Sequence, residues 1–258
     1  LFIPHGGGPM PLLRDKDHQK LISFLKKIST EISKPKAIIL ISAHWEELVP
    51  TITSGSAPKL IYDYFGFPEE SYQIQYRATG SPELAEKDFQ QFKINGMEAK
   101  LDSKRGFDHG MFVPLKLMYP EANIPCIQIS LVKSLDPKVH IQMGKALSSL
   151  RNENILFIGS GFSFHNLREF FTPQPNGIDS KNAAFEKWLI ETCTDPDKYF
   201  SEGENRLINW SNAPFAKYCH PREEHLLPLH VCFGLSDAPA KLVFQDKVLG
   251  KLTSSFLW

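Results

Sequence analysis

The chain has 258 residues, 42% of them hydrophobic, and its 29 basic and 29 acidic side chains give a formal net charge of zero. The length is ample for a sizeable core. The balanced charge argues against nucleic-acid or anionic-membrane partners, which both require a basic excess. No apolar run approaches the roughly 20 residues that span a bilayer. We therefore expect a cytoplasmic protein, either a monomer or a small homo-oligomer.

Apolar, β-rich runs alternate with helical segments along the chain, a pattern typical of an α/β sheet with helices on its faces. The near-continuous apolar runs predict strands buried on both faces. Predicted strands cover residues 1–3, 37–42, 124–131 and 155–159, and a closing hairpin covers 241–244 with Val248 and Leu249. We predict one domain over residues 1–258, with a central, mostly parallel or mixed sheet flanked by helices and a metal site at the strand ends.

Helical periodicity predicts helices over residues 17–32, 82–95, 137–151, 181–194 and 224–233. Ser81 supplies an N-cap and Pro82 a first-turn proline for the second helix, while Pro228 can kink the last. The longest irregular stretches are residues 49–76 and 170–178. The first is rich in aromatic rings, which either form a pocket wall or pack the loop onto the core.

The cysteines indicate a reducing compartment. They are scattered along the chain, with no C-x-x-C pair: Cys126, Cys193, Cys219 and Cys232. This spacing favours four reduced, mostly buried thiols over disulfides or a thiolate metal site.

Four of the nine histidines lie where a predicted strand ends or a loop turns. His5 precedes three glycines, His44 follows the strand at 37–42, His165 follows the strand at 155–159, and His109 lies in a polar, turn-like segment. Ligands of open α/β sheets bind beyond the carboxyl ends of the strands. Because neutral imidazole is the commonest ligand for intermediate divalent metals, these positions predict a metal site.

A second cluster, His220-Pro221-Arg222-Glu223-Glu224-His225, offers a further ligand. Glu224 and His225 are adjacent and point in different directions on a helix, so only one of them is expected to reach the metal well. The remaining histidines receive other interpretations: solvated for His18 and His140, loop-capping for His220, and core or surface for His230.

The sequence lacks the signatures of several other enzyme classes. It contains no G-x-x-x-x-G-K-[ST], no G-x-G-x-x-G that opens a helix and no H-E-x-x-H. Gly159-Ser160-Gly161-Phe162-Ser163 resembles a nucleophile elbow only in composition. Nucleotide-binding, zincin and serine-hydrolase chemistry are therefore disfavoured.

Five short motifs, in order along the whole chain, resemble those of class III extradiol ring-cleavage dioxygenases. The resemblance is greatest to the 4,5-DOPA dioxygenase extradiol-like branch. The motifs are Pro4-His5-Gly6-Gly7 with Pro9-Met10, Ile41-Ser42-Ala43-His44-Trp45, Phe107-Asp108-His109-Gly110 with Val113-Pro114-Leu115, Gly159-Ser160-Gly161 with His165-Asn166-Leu167, and Glu224-His225-Leu226-Leu227-Pro228-Leu229.

This resemblance implies one divalent metal ion, Fe(II) or Zn(II), in an enzyme that opens a catechol ring with O2. It implies His5 and His44 as metal ligands, with His225 preferred over Glu224 as the third. It also implies that His165 is a catalytic acid–base residue and that His109 contacts substrate or O2.

The sequence leaves the substrate open, whether DOPA, a protocatechuate-like acid or another catechol. Three glycines follow His5 where many branch members have Gly-Ser-Pro, and bulky Phe162 and Phe164 precede His165. Cations near the motifs could hold a substrate carboxylate but are interpreted as surface charges: Arg168, Lys217 and Arg222. Two alternatives use the same histidines, a zinc hydrolase with metal-bound hydroxide and a non-catalytic metal-binding protein.

Overall fold

The computed structural model describes residues 1–170, 172 and 179–258. In this part of the chain, eight strands form one mixed sheet in the order β4-β3-β5-β2-β6-β1-β8-β7. The strands are β1 (Phe2–Pro4), β2 (Ala37–Glu47), β3 (Thr51–Thr53), β4 (Lys100–Asp102), β5 (Cys126–Val132), β6 (Ile155–Gly161), β7 (Lys241–Val248) and β8 (Lys251–Leu257).

Helices cover both faces of the sheet. They are α1 (Gln19–Glu31), α2 (Pro82–Ile94), α3 (His109–Met118), α4 (Pro137–Leu147), α5 (Ser180–Thr194), α6 (Pro196–Lys198), α7 (Glu204–Ile208), α8 (Ala216–Cys219) and α9 (Leu227–Gly234). Short 3-10 turns lie at Lys16–His18, Glu69–Gln73, Ser148–Glu153 and Trp210–Asn212, and a π-helical turn lies at Tyr199–Gly203.

The centre of the sheet is parallel, because β2 pairs in parallel with both β5 and β6, and β6 pairs in parallel with β1. Alternate residues of β2 point to opposite faces. Ile38 and Leu40 join the core beneath α1 and α3, whereas Ile39 and Ile41 join the core beneath α2, α4 and α9. Burial on both faces explains the unbroken apolar run, and the predicted α/β class with a mixed sheet is confirmed.

Several local predictions differ from the structure. Strand β2 continues to Glu47, and its pairing with β5 jumps from Ser42 to Glu46. His44 thus lies in a bulge inside the strand rather than after it. Helix α9 begins at Leu227 with Pro228 in its first turn, where the helix needs no N–H from the proline, so no kink results. The segment 49–76, predicted as irregular, contains β3.

The four cysteines are free and buried, as predicted. None of the described helices has the length and apolar composition that crossing a membrane demands.

Asp88 is a buried carboxyl on the inner face of α2. Its side chain is fully buried beside Leu84, Ala85 and Phe92 of the same helix. Neither carboxyl oxygen has a hydrogen-bond partner among the described residues. Burial raises the pKa of Asp88 well above its usual value, and the charge of Lys87 offsets this only in part. The folded protein therefore favours the neutral acid.

Replacing Asp88 with asparagine is expected to stabilise the protein increasingly as the pH rises. An acid whose folded-state pKa is raised loses its stabilising contribution once the pH passes the unfolded value of about 4. Asparagine cannot ionise, so the free energy of unfolding of the variant should exceed that of the wild type more at pH 8 than at pH 5. At pH 8, each unit by which folding raises the pKa of Asp88 should add about 1.4 kcal/mol to the stability advantage of the variant.

Urea denaturation at the two pH values measures this difference. Asp246→Asn is the matched control, because Lys20 pairs with Asp246 at 2.7 Å and lowers its pKa against the opposing effect of burial. That variant should be slightly less stable than the wild type at pH 8. Equal stability of Asp88→Asn and the wild type at both pH values would contradict the account of Asp88.

Candidate active site

Five histidines from distant parts of the chain converge at one edge of the sheet. His5 follows β1, His44 occupies the bulge of β2, and His109 is the first residue of α3. His165 lies four residues beyond the end of β6, and His225 lies two residues before α9. The structure thus brings together all five histidines that the sequence selected.

The histidine rings lie close enough together to share a metal ion. His5 Nε2 and His44 Nε2 are 3.0 Å apart. The His44 and His109 ring centroids are 3.9 Å apart, and those of His5 and His225 are 5.2 Å apart. His165 stacks on His225 with a centroid separation of 3.4 Å.

Within each of two groups, the metal-binding atoms lie within 4.8 Å of one another: His5, His44 and His109 form one, and His165, Glu224 and His225 form the other. His109, expected to contact substrate or O2, is therefore grouped with two of the predicted ligands. His225, expected to be a ligand, is grouped with His165 and Glu224.

Hydrogen bonds at Nδ1 fix which nitrogen of His5 and His109 is free. Ser160 donates its hydroxyl proton to the carbonyl of Gly110, so at 3.2 Å it can only accept a hydrogen bond from His5 Nδ1. Asp63 Oδ1 accepts from His109 Nδ1 at 2.8 Å. In the neutral rings, both Nε2 atoms therefore carry lone pairs.

Glu224 contacts two further histidines of the cluster. Its Oε1 lies 2.9 Å from His225 Nδ1 and 3.2 Å from His165 Nδ1. A carboxylate can accept both hydrogen bonds, which again leaves the two Nε2 atoms unprotonated in the neutral rings. Glu224, weighed as an alternative ligand, thus contacts both histidines at Nδ1, the kind of contact by which carboxylates orient metal-binding histidines.

The electrostatics of the site favour neutral imidazoles held by ionised carboxylates. Burial lowers the pKa of His5, His44 and His225 well below the usual histidine value, and the neighbouring histidines lower it further. Burial alone would raise the pKa of Asp63, but the hydrogen bond and charge of His109 lower it to about 2. For Glu224, too, contacts with His165 and Arg222 outweigh burial and lower the pKa.

The glycine segment after His5 is shaped by a histidine predicted to be solvated. His18 is instead buried: its Nε2 accepts the N–H of Gly7 at 3.0 Å, and its Nδ1 lies 2.7 Å from Asp15. Gly6 adopts φ +88°, where a Cβ would lie 2.3 Å from Pro11. The backbone here therefore requires glycine at position 6 and a neutral His18 beside Gly7. The charged sequence around His18 does not suggest this contact.

The prediction for His140 is wrong in the same way. His140 is fully buried; its Nε2 accepts the N–H of Val132 at 3.1 Å, and its Nδ1 lies 2.8 Å from the Asp136 carbonyl. His230 is a core histidine between two backbone carbonyls, as predicted. His220 is buried with Nε2 2.8 Å from the carbonyl of Ser163, outside the cavity lining.

A cavity of about 400 Å³ opens over the five histidines. Its walls include Tyr64 and Phe67 from the aromatic segment, together with Phe162, Phe170 and the three glycines that follow His5. The aromatic segment therefore supplies pocket walls, while its other rings pack on the core. Of the second predicted irregular stretch, residues 171 and 173–178 lie outside the described residues.

The site contains two orienting residues that the sequence did not reveal, Asp63 and Ser160. Asp63 is the one acidic residue between two tyrosines of the aromatic segment, and Ser160 lies between two glycines at the end of β6. Neither position indicates a contact with a histidine 46 or 155 residues away. Arg168, Lys217 and Arg222 are exposed and do not line the cavity, in agreement with their interpretation as surface charges.

Comparison with known proteins identifies this architecture. Residues 1–254 match the family model described as the catalytic LigB subunit of aromatic ring-opening dioxygenase. The chain belongs to this family. The enzyme is thus a non-haem, extradiol-type ring-cleaving dioxygenase, and the hydrolase alternative is not favoured.

Individual relatives agree with this assignment. The dioxygenase is 39% identical to a protein named dioxygenase tasH from Hapsidospora irregularis over 277 residues, which cover 100% of this chain and 84% of the relative. It is 41% identical to 4,5-DOPA dioxygenase extradiol from Mirabilis jalapa over 237 residues, 90% of this chain and 85% of the relative. An uncharacterized Escherichia coli K12 protein of known structure has a TM-score of 0.71 at 29% identity, with 90% and 89% of the two chains covered.

Proposed function

We propose that this dioxygenase opens the ring of a catechol next to its two hydroxyl groups, with one divalent metal held by His5, His44 and His225. The observation that carries the proposal is the pair of Nε2 atoms 3.0 Å apart on His5 and His44. Two nitrogens bound at about 2.1 Å and at right angles to each other are separated by roughly 3.0 Å. The ring nitrogens present thus fit a shared cation.

Three imidazoles resemble the facial ligand sets of non-haem Fe(II) oxygenases, which leave open coordination positions. When bound, the metal would lower the pKa of a catechol hydroxyl and bring the ring and O2 together. Zinc could occupy the same nitrogens but has no redox chemistry. We therefore propose Fe(II) for turnover, in a cytoplasmic enzyme whose free cysteines suit a reducing compartment.

The surrounding residues would handle protons and orientation. With Nδ1 held by Glu224, neutral His165 presents an Nε2 lone pair and can remove a proton from the catechol as a general base. His109, held by Asp63 through Nδ1, can accept a hydrogen bond from substrate at Nε2. The apolar walls of the cavity exclude water and so strengthen these polar contacts.

Anaerobic loading with Fe(II), followed by O2 and a catechol, tests the activity. The expected result is a yellow semialdehyde whose absorbance rises only when iron, O2 and catechol are all present. Zinc-loaded protein is the matched control and should give no product. O2-independent hydrolysis of an ester by the zinc form, without ring cleavage by the iron form, would favour the hydrolase instead.

The third ligand can be identified by comparing His225→Ala with His109→Ala. We expect His225→Ala to lose the metal, because the motif resemblance assigns His225 as the third ligand. The Nδ1 partners do not distinguish the two histidines, since Glu224 holds His225 and Asp63 holds His109. His109→Ala should keep close to one metal per chain and lose activity. Elemental analysis of both variants after iron loading measures this. Metal loss in His109→Ala with retention in His225→Ala would exchange the two roles.

A further inference from the structure

The described lining of the cavity is poor in charge. Apart from the histidines, Asp63 is the one side chain in this lining that is charged at neutral pH, and the lining includes no lysine or arginine. Asp63 is already engaged, 2.8 Å from His109 Nδ1 and 3.6 Å from His44 Nδ1. A substrate carboxylate would therefore meet no free cationic side chain among these lining residues.

Of the three basic residues that the motifs place nearby, Lys217 and Arg222 are paired elsewhere, and Arg168 is exposed and does not line the cavity. Arg222 lies 2.6 Å from Glu46 and 3.4 Å from Glu224. Lys217 lies 3.2 Å from Glu223. To bind an anionic substrate, either side chain would have to leave a carboxylate partner. These ion pairs make the surroundings of the site still less suited to a negatively charged substituent.

The walls and the opening of the cavity are apolar. Met10, Phe67 and Leu249 line its interior. At the boundary with solvent, Phe65 and Leu167 also belong to the lining, and they are 90% and 69% exposed. Single exposed apolar side chains are ordinary, but these two both belong to the lining of this cavity. Each would lose exposed area if a substrate reached from the cavity to its side chain.

The size of the cavity leaves room for more than a catechol ring. Pockets of roughly 300–1,000 Å³ bury most of a drug-sized ligand, and this one measures about 400 Å³. Burying an unpaired carboxylate is costly, whereas burying methylene groups is favourable. The lining thus disfavours a charged ring substituent and favours an apolar one.

Given the ring cleavage proposed above, we propose that the substrate is a catechol carrying an uncharged, apolar substituent, which Phe65 and Leu167 cover at the opening. Catechol, 4-ethylcatechol and 4-butylcatechol test the apolar preference with the iron-loaded enzyme. We expect kcat/KM to rise about two- to fourfold per methylene group, as for buried methylenes. DOPA and 3-(3,4-dihydroxyphenyl)propanoate test the effect of a charged substituent. The kcat/KM for the methyl ester of the propanoate should exceed that for the acid itself by about tenfold or more.

Variants at the opening connect this preference to the two side chains. Phe65→Ala and Leu167→Ala should each lower the ratio of kcat/KM for 4-butylcatechol over catechol by about threefold. Leu167→Arg should raise the ratio of acid over ester, because it supplies the missing cation. Phe200→Ala is the control, since Phe200 is 69% exposed but does not line the cavity. It should leave both ratios unchanged.

The outcomes separate this inference from the proposed activity. Preferred cleavage of the acid or of DOPA over the ester, or unchanged ratios in the Phe65 and Leu167 variants, would overturn the substrate class while ring cleavage stands. If no catechol is cleaved, the proposed activity fails. Isothermal titration of the same compounds then still tests the substituent preference. We expect the ester to bind more tightly than the acid, and 4-butylcatechol more tightly than catechol.

Discussion

Replacing His5 with alanine is expected to remove both the bound metal and measurable ring cleavage. His5 is at the centre of the cluster, with its Nε2 3.0 Å from His44 Nε2 and its ring centroid 5.2 Å from that of His225. The residues on either side of it in the chain, Pro4 and Gly6, offer no side-chain ligand. We expect metal affinity to fall by more than about 100-fold. Mutating a residue that only hydrogen-bonds to a metal ligand typically lowers metal affinity by about 10–100-fold.

Ser160→Ala provides the matched control for this variant. It removes the hydroxyl that accepts from His5 Nδ1 but keeps the imidazole. Its loss of metal affinity should stay within about 10–100-fold. Metal titration followed by fluorescence or calorimetry measures both variants, and circular dichroism checks that each is folded. If His5→Ala bound iron as tightly as Ser160→Ala, His5 would not be a ligand.

The main elements of the sheet could be predicted because local sequence determines them. The runs at 37–42, 124–131 and 155–159 are apolar on both faces, which only a central strand permits. Strands β3 and β4 have three residues each, too few for a periodic signal. Helix α3 contains Gly110 and Pro114, which are poor helix formers, so its sequence conceals it.

The sequence predicted the histidines of the candidate site but not the residues that orient them. Strand-end positions indicated that His5, His44 and His165 would meet, because parallel strands end at a common edge. The partners of their Nδ1 atoms depend on tertiary contacts over long sequence separations. His18 shows the same limit. Its charged local sequence suggested exposure, but the side chain is buried and accepts a hydrogen bond from the backbone N–H of Gly7 in the glycine segment.

Bulges and glycines convert that common edge into a site. Residues 43–45 interrupt the pairing of β2 with β5, and such a bulge re-aims a side chain, here the imidazole of His44. At the end of β6, a Cβ on Gly161 would lie 2.1 Å from the carbonyl oxygen of His225. Glycine at this position therefore lets the His225 segment approach the sheet closely enough for its ring to join the cluster.

Replacing His165 with alanine is expected to lower kcat strongly while the metal stays bound. His165 stacks on His225 at 3.4 Å and shares Glu224 with it, but the proposed ligand set is complete without it. General acid–base catalysis is worth about 10²–10⁴ in rate, so kcat should fall by that factor. Iron content and kcat, measured on the same preparation, test both halves of the expectation.

Rescue by free imidazole distinguishes a proton-transferring His165 from one that only packs. The side chain is partly exposed and lines the cavity, so its removal leaves a space that solvent can reach and that added imidazole can occupy. Imidazole should restore part of the lost kcat in His165→Ala and none in His225→Ala, where the metal itself is missing. Loss of iron from His165→Ala would make His165 a ligand. A fall in kcat of less than tenfold would assign the proton transfer to another group, for which His109, with its Nε2 lone pair facing the same cavity, is the next candidate.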